Sequence, residues 1–410
     1  MNPLLARSIR RHALGWLVAA NAVGVWLAAL LLWPGLNELA SPATYGRWMP
    51  LHLDWQLYGW CALPLLGVVL QYYLRDDGDG LRAGRAALAC WSLALGFGGL
   101  SWLAGWSSGK LFLEWAGPAR LIWPLALLLV WLLLARAAWA RRGELPRWSW
   151  TLLAGLFAVP FVLWWAGDPH VYPAIDPDTG GATGASLLGS TLGLLAVFGL
   201  VPWLLRLPVS APAASIFRRK RLYGFYLVFS FALEGALRHG NVTHHDTGHL
   251  LGLISLVAWI PLVWRYARSF TWPEAARPWL VAAYAWWLIL SVNGLGVYLP
   301  EVADRLKFTN GLVAHAHLAM AGLVTSLHVA LLASLPGSWV PGARWAAWAW
   351  HGGTGVMIVV LTWLGWREGA DPSLLYGRGA VADWCYGLRL AAGLAMLVAS
   401  VVWLHAARKT

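Results

Sequence analysis

The stretch Asn310-Gly-Leu-Val-Ala-His315-Ala-His317-Leu-Ala-Met-Ala-Gly322 places two histidines near the start of an apolar run at 311–335. A run of ~20 apolar residues is long enough to cross the hydrocarbon of a bilayer. Ionisable side chains inside such a run are costly, and their default reading is functional. Positions two apart on a helix point about 200° apart. His315 and His317 therefore face opposite sides of their helix and cannot easily bind one small metal ion together. They could each hold a different planar cofactor, with the helix running between them. The plainer alternative is that they hydrogen-bond neighbouring helices or lie among lipid headgroups.

The rest of the chain reads the same way. Its 410 residues are 59% hydrophobic and 12% charged, about half the charge of a soluble domain. Mean hydropathy is +0.59. Apolar runs fall at 13–33, 49–74, 86–106, 121–139, 148–166, 185–205, 222–237, 249–267, 278–298, 311–335, 345–366 and 384–405. This predicts an all-α polytopic membrane protein, a twelve-helix bundle forming one transmembrane domain over 1–410. The first run lacks a small-residue cleavage site soon after it and reads as a retained helix. The longest loop, about 167–184, is rich in Gly, Asp and Pro.

Basic residues set the orientation. Clusters such as Arg7, Arg10, Arg11 and Arg218, Arg219, Lys220, Arg221 fall on alternate loops, which together hold 21 of the 30 Lys and Arg. That bias puts both termini in the cytoplasm. Trp at run ends, as at Trp33, Trp106 and Trp366, fits interfacial belts. The net charge of +12 is dispersed over these loops, with no basic tract or aromatic motif that would suggest nucleic acid. Cys61, Cys90 and Cys385 form no Cys-x-x-Cys-His, which excludes covalent c-type haem on this chain.

With this topology His52 enters the second run at the same outer depth as His315 and His317. His52 then supplies a second axial ligand for one of the two cofactors. His328 lies about 16 Å deeper than His317, and His351 toward the cytoplasm. Both read as structural, and His12, His170 and His405 lie at run ends or in loops.

On these residues the chain resembles subunit I of the haem-copper oxidases, in particular the catalytic subunit of cbb3-type cytochrome c oxidase. Tyr45-Gly-Arg-Trp-Met-Pro-Leu-His52 is similar to that family's entry to its second helix, and the His315-Ala-His317 stretch to its tenth. Ser108-Gly-Lys-Leu-Phe-Leu-Glu-Trp115 and Tyr386-Gly-Leu-Arg389 resemble its stretch before helix four and the opening of its last helix. The resemblance implies two haems b, one on His52 and His317 and a second on His315. Arg47 and Arg389 become candidates for haem propionate contacts, since guanidinium binds carboxylates bidentately. Interfacial snorkelling explains the same two residues equally well. The resemblance further implies a bacterial inner membrane, other subunits, and a c-type cytochrome or cupredoxin-like electron carrier as partner.

The chain departs from the family where copper is bound. Span 6 reads Thr183-Gly-Ala-Ser-Leu-Leu, without His, and Leu237 and Arg238 stand where a His pair belongs. The helix-seven tyrosine is replaced by Phe231 or a neighbour. Without three imidazoles copper has no ordinary site. The leading expectation is therefore a di-haem b cytochrome that transfers electrons within a respiratory-type complex, without ordinary oxygen reduction. A second is a terminal oxidase or nitric oxide reductase with a rearranged non-haem site from Glu234, His239, His244, His245 and His249. A third is a non-enzymatic haem-binding sensor or assembly subunit.

Overall fold

The computed structural model describes residues 2–171, 191–237, 247–297, 299–376 and 379–409. Among these the chain is helical and forms no strand, only an isolated bridge between Val209 and Phe270. In chain order the main helices are α1 (Pro3–Leu32), α2 (Tyr45–Tyr73), α3 (Gly78–Leu103), α4 (Ala119–Ala140), α5 (Arg147–Ala166), α6 (Gly193–Leu204), α7 (Ala213–Leu237), α8 (Leu250–Ala267), α9 (Glu274–Val297), α10 (Asn310–Ser334), α11 (Arg344–Ala370) and α12 (Ala380–Lys409). All but α6 and α7, ten helices, are long and apolar enough to cross a membrane. The chain is thus a multi-pass, all-helical membrane protein. α6 is short within the described residues, and the opening turns of α7 carry Arg218, Arg219, Lys220 and Arg221.

The helices divide into two compact units. The first comprises Met1–Asp176, Leu335–Trp350 and Gly393–Thr410. Its central element is α1, whose Leu5, Ile9, Ala13, Leu14, Leu17 and Ala20 recur at helical spacing and are almost fully buried. The Asn2 side chain accepts from the amides of Leu4 and Leu5, and Pro3 opens the first turn. Arg10, buried on α1, donates to the Leu335 carbonyl at 2.6 Å and packs on the Trp339 ring. α4 turns Leu121, Leu125, Leu129 and Leu132 outward, a stripe suited to lipid.

The segment between α3 and α4 folds back onto α2. Tyr58 Oη donates to the Phe112 carbonyl at 2.7 Å, and Trp102 Nε1 to the Glu114 carbonyl at 2.9 Å. Lys110 Nζ donates to Ala166 O at 3.0 Å, and Trp115 stacks flat on Trp123.

The second unit comprises Pro177–Ser334 and His351–Ala392. Polar ties between its helices satisfy groups that hydrocarbon would leave without partners. Tyr223 Oη donates to Leu195 O, Tyr226 Oη to Ser255 O, and Trp259 Nε1 to Ser230 Oγ, joining α7 to α6 and α8.

Burial separates α2 and α10 from the other helices. Of the membrane-length helices they are the most enclosed, 61% and 67% of their apolar windows being buried, against 17% for α5. These two helices carry His52, His315 and His317.

Candidate functional site

α2 is not one uniform helix. Tyr45–Asp54 is α-helical, Trp55–Cys61 is a π-helix, and Ala62–Tyr73 is α-helical again. α10 repeats the pattern, with α-helix over Asn310–His317, π-helix over Leu318–Val324 and α-helix over Thr325–Ser334. π segments inside α-helices are rare and recur at functional sites. Here each begins within three residues of a predicted ligand. A tryptophan from a neighbouring helix fills the small-residue gap in each, Trp16 at Gly59 and Trp286 at Gly322.

His52 stands on α2 of the first unit. Its Nδ1 lies 2.9 Å from the Ala20 carbonyl of α1. A Cβ at Gly24 would come within 2.7 Å of His52 Cε1, so only glycine lets the imidazole lie against α1 here. His315 and His317 stand on α10 of the second unit. His315 Nδ1 lies 2.7 Å from Asn293 Oδ1 on α9, and His317 Nδ1 lies 2.8 Å from Val313 O one turn back.

An amide or peptide oxygen only accepts, so in all three residues Nδ1 carries the proton. That tautomer puts the lone pair on Nε2, which is what a ligand bound through Nε2 requires. For His52 and His315 the bond comes from another helix and fixes the ring as well as the tautomer. The imidazoles therefore fit the haem-ligand role expected of them.

The remaining histidines divide differently. His328 also donates to the peptide oxygen one turn back, Val324 O, but is 1% exposed in the helix interior. His351 accepts at Nδ1 from Trp286 Nε1 at 3.1 Å and so holds the opposite tautomer. His12 bonds Ser92 Oγ, and His170 pairs with Asp168 at the exposed end of α5.

Arg47 Nη1 donates to the Leu103 carbonyl, capping the end of α3. Arg389 Nη1 reaches Asn310 Oδ1 at 3.4 Å. Glu234 is buried on α7. His239, His244 and His245, like Arg238, lie outside the described residues, as does the side chain of His249. Among the described residues no three His, Cys, Asp or Glu gather where a metal ion could be held.

Three polar residues that the sequence reading passed over take part in these surroundings. Asn293 holds His315. Glu368 of α11 holds the first residue of α10 through Asn310 N and Nδ2, at 2.8 and 2.7 Å. Asp54, two residues after His52, is fully buried and in electrostatic reach of buried Glu114. A carboxylate inside an apolar run was the available signal for Asp54. Asn293 gave none, because a lone amide in a span has many uses.

No protein-family model matches the chain, and no curated protein matches it either.

Proposed function

We propose that this chain is a membrane-bound di-haem b cytochrome that transfers electrons within a respiratory-type complex and lacks an ordinary copper site. His52 and His317 would hold one haem b, and His315 would hold a second. Haem iron cycles between ferric and ferrous states, and two histidine ligands leave no open position, which suits electron transfer. The reading is supported above all by one observation: Nδ1 of each of these residues lies within hydrogen-bond distance of a protein oxygen, at 2.9, 2.7 and 2.8 Å, the tautomer that a histidine ligating through Nε2 adopts.

The twelve-helix arrangement of haem-copper oxidase subunit I, cytoplasmic termini and a bacterial inner membrane belong to the same proposal. A c-type cytochrome or cupredoxin-like partner would deliver or accept electrons. Arg47 and Arg389 would meet propionates only by adding to the backbone and amide contacts they already make.

Burial of Glu234 on α7 favours a second reading, a terminal oxidase or nitric oxide reductase with a non-haem metal on Glu234 and the histidines at 239–249. Metal analysis of the purified protein separates the two. Two irons, both recovered as haem, and no copper support the cytochrome. A stoichiometric copper or a third, non-haem iron supports the reductase. Protein that carries no haem at all rejects both.

A further inference from the structure

The helix that carries His315 and His317 is anchored at its first residue by a carboxylate from another helix. Glu368 Oε2 accepts from the Asn310 amide at 2.8 Å, and Oε1 accepts from Asn310 Nδ2 at 2.7 Å. Thr309 Oγ1 accepts from the next amide, Gly311 N, at 3.1 Å. Two of the amides that every helix leaves without partners at its start are thus satisfied, one by the local cap and one from α11. Glu368 is only 1% exposed, so this is a buried carboxylate at the positive end of a helix dipole.

The contact depends on how closely α11 approaches. A Cβ at Gly365 would lie 2.0 Å from Gly311 N, and one at Gly369 would lie 2.1 Å from Arg305 O. Gly365 and Gly369 are four residues apart, the small-residue spacing that lets helix backbones meet. They flank Glu368 and bring its carboxylate onto Asn310. From Asn310 to His315 is five residues, an axial rise of about 7.5 Å, and to His317 about 10.5 Å.

We propose that Glu368 is a positioning residue for the histidines of α10, a role that rests on the haem reading above. Its two hydrogen bonds fix where the ligand helix begins. Its buried negative charge disfavours adding an electron to a haem bound through that helix.

The test compares parent protein with Glu368→Gln, Glu368→Ala and Glu144→Gln, the last removing a carboxylate from an exposed loop. Midpoint potentials by redox titration and amide exchange over residues 310–317 are measured on all four. Glu368→Gln is expected to raise a haem midpoint by roughly tenfold in the reduction equilibrium, about 59 mV for a one-electron couple. It should also speed exchange at Asn310 and Gly311, while Glu144→Gln changes neither.

A Glu368→Gln midpoint and exchange pattern indistinguishable from those of Glu144→Gln would overturn the proposal while leaving the haem reading intact. If Glu368→Ala does not accumulate, the Gln variant, which keeps the size of the side chain, decides alone. Parent protein without haem overturns the functional reading and this inference with it.

Discussion

His315 of α10 and Asn293 of α9 are joined by a 2.7 Å hydrogen bond in which the imidazole Nδ1 donates to the amide oxygen. The acceptor is neutral, so it orients the ring without drawing the Nδ1 proton as a carboxylate would. Outer groups of this kind commonly change metal affinity by about 10–100-fold when removed. Asn293→Leu is expected to lower occupancy of the His315 haem on that scale, read as haem per protein. Asn293→Asp should retain the haem and lower its midpoint potential, because a charged acceptor makes the imidazole a stronger donor to iron. An unchanged midpoint in the Asp variant would show that this bond does not tune the iron.

Gly24 tests His52 separately. A Cβ there would come within 2.7 Å of the His52 ring, so Gly24→Val must displace the imidazole or separate α1 from α2. Overpacking of this kind costs roughly 1–3 kcal/mol. The expected spectrum loses the low-spin bis-histidine signature and keeps the His315 haem. Retention of both signals would argue that His52 is not a ligand.

Glu114 gives a pH dependence. Burial pushes its carboxyl from 4.5 up to about 7. The folded protein therefore binds a proton that the unfolded chain has already released, and stability falls as pH rises from 4.5 toward about 7. Thermal unfolding in detergent across that window should show the decline in the parent and a flatter profile in Glu114→Gln. Equal slopes would place the pH dependence elsewhere.

Asp168 behaves in the opposite sense. Hydrogen bonds from the His170 amide, Arg120 and the His170 ring hold its carboxyl down at about 2. Its contribution is present above the ordinary carboxylate value of 3.8 and is lost as pH falls through about 2. Asp168→Asn should remove that part of the acid sensitivity. The group is partly exposed, so the effect should be small and weaker in high salt.

The membrane-spanning character was legible because a bilayer demands long apolar runs, and ten of the predicted runs are helices of sufficient length. The runs at 185–205 and 222–237 were less definite. α6 is short where it is described, and α7 begins in a basic stretch that the sequence reading assigned to a loop. Of the candidate site, the three histidines stood out because imidazoles are rare in apolar runs. What holds them was not legible. The Ala20 carbonyl has no side-chain identity to notice, and Asn293 and Glu368 acquire meaning only once α9 and α11 are known to pack against α10. For Arg47 and Arg389 the sequence offered propionate contact and interfacial snorkelling equally, whereas in the structure each has a protein oxygen to bond.

The π segments after His52 and His317 make each ligand helix two pieces with separate phase. A π turn is what an α-helix becomes when it absorbs one additional residue without moving either end. The half that packs deep in its unit can therefore keep its contacts while the half bearing the histidines is aimed independently. Deleting one residue within 55–61 or 318–324 would restore an even α-helix with both halves left in place, whereas a regular α-helix that kept every residue would turn the histidines by about 100°. The extra residue, rather than the length of the span, is thus what sets the direction of the histidines relative to the deep half of their helix.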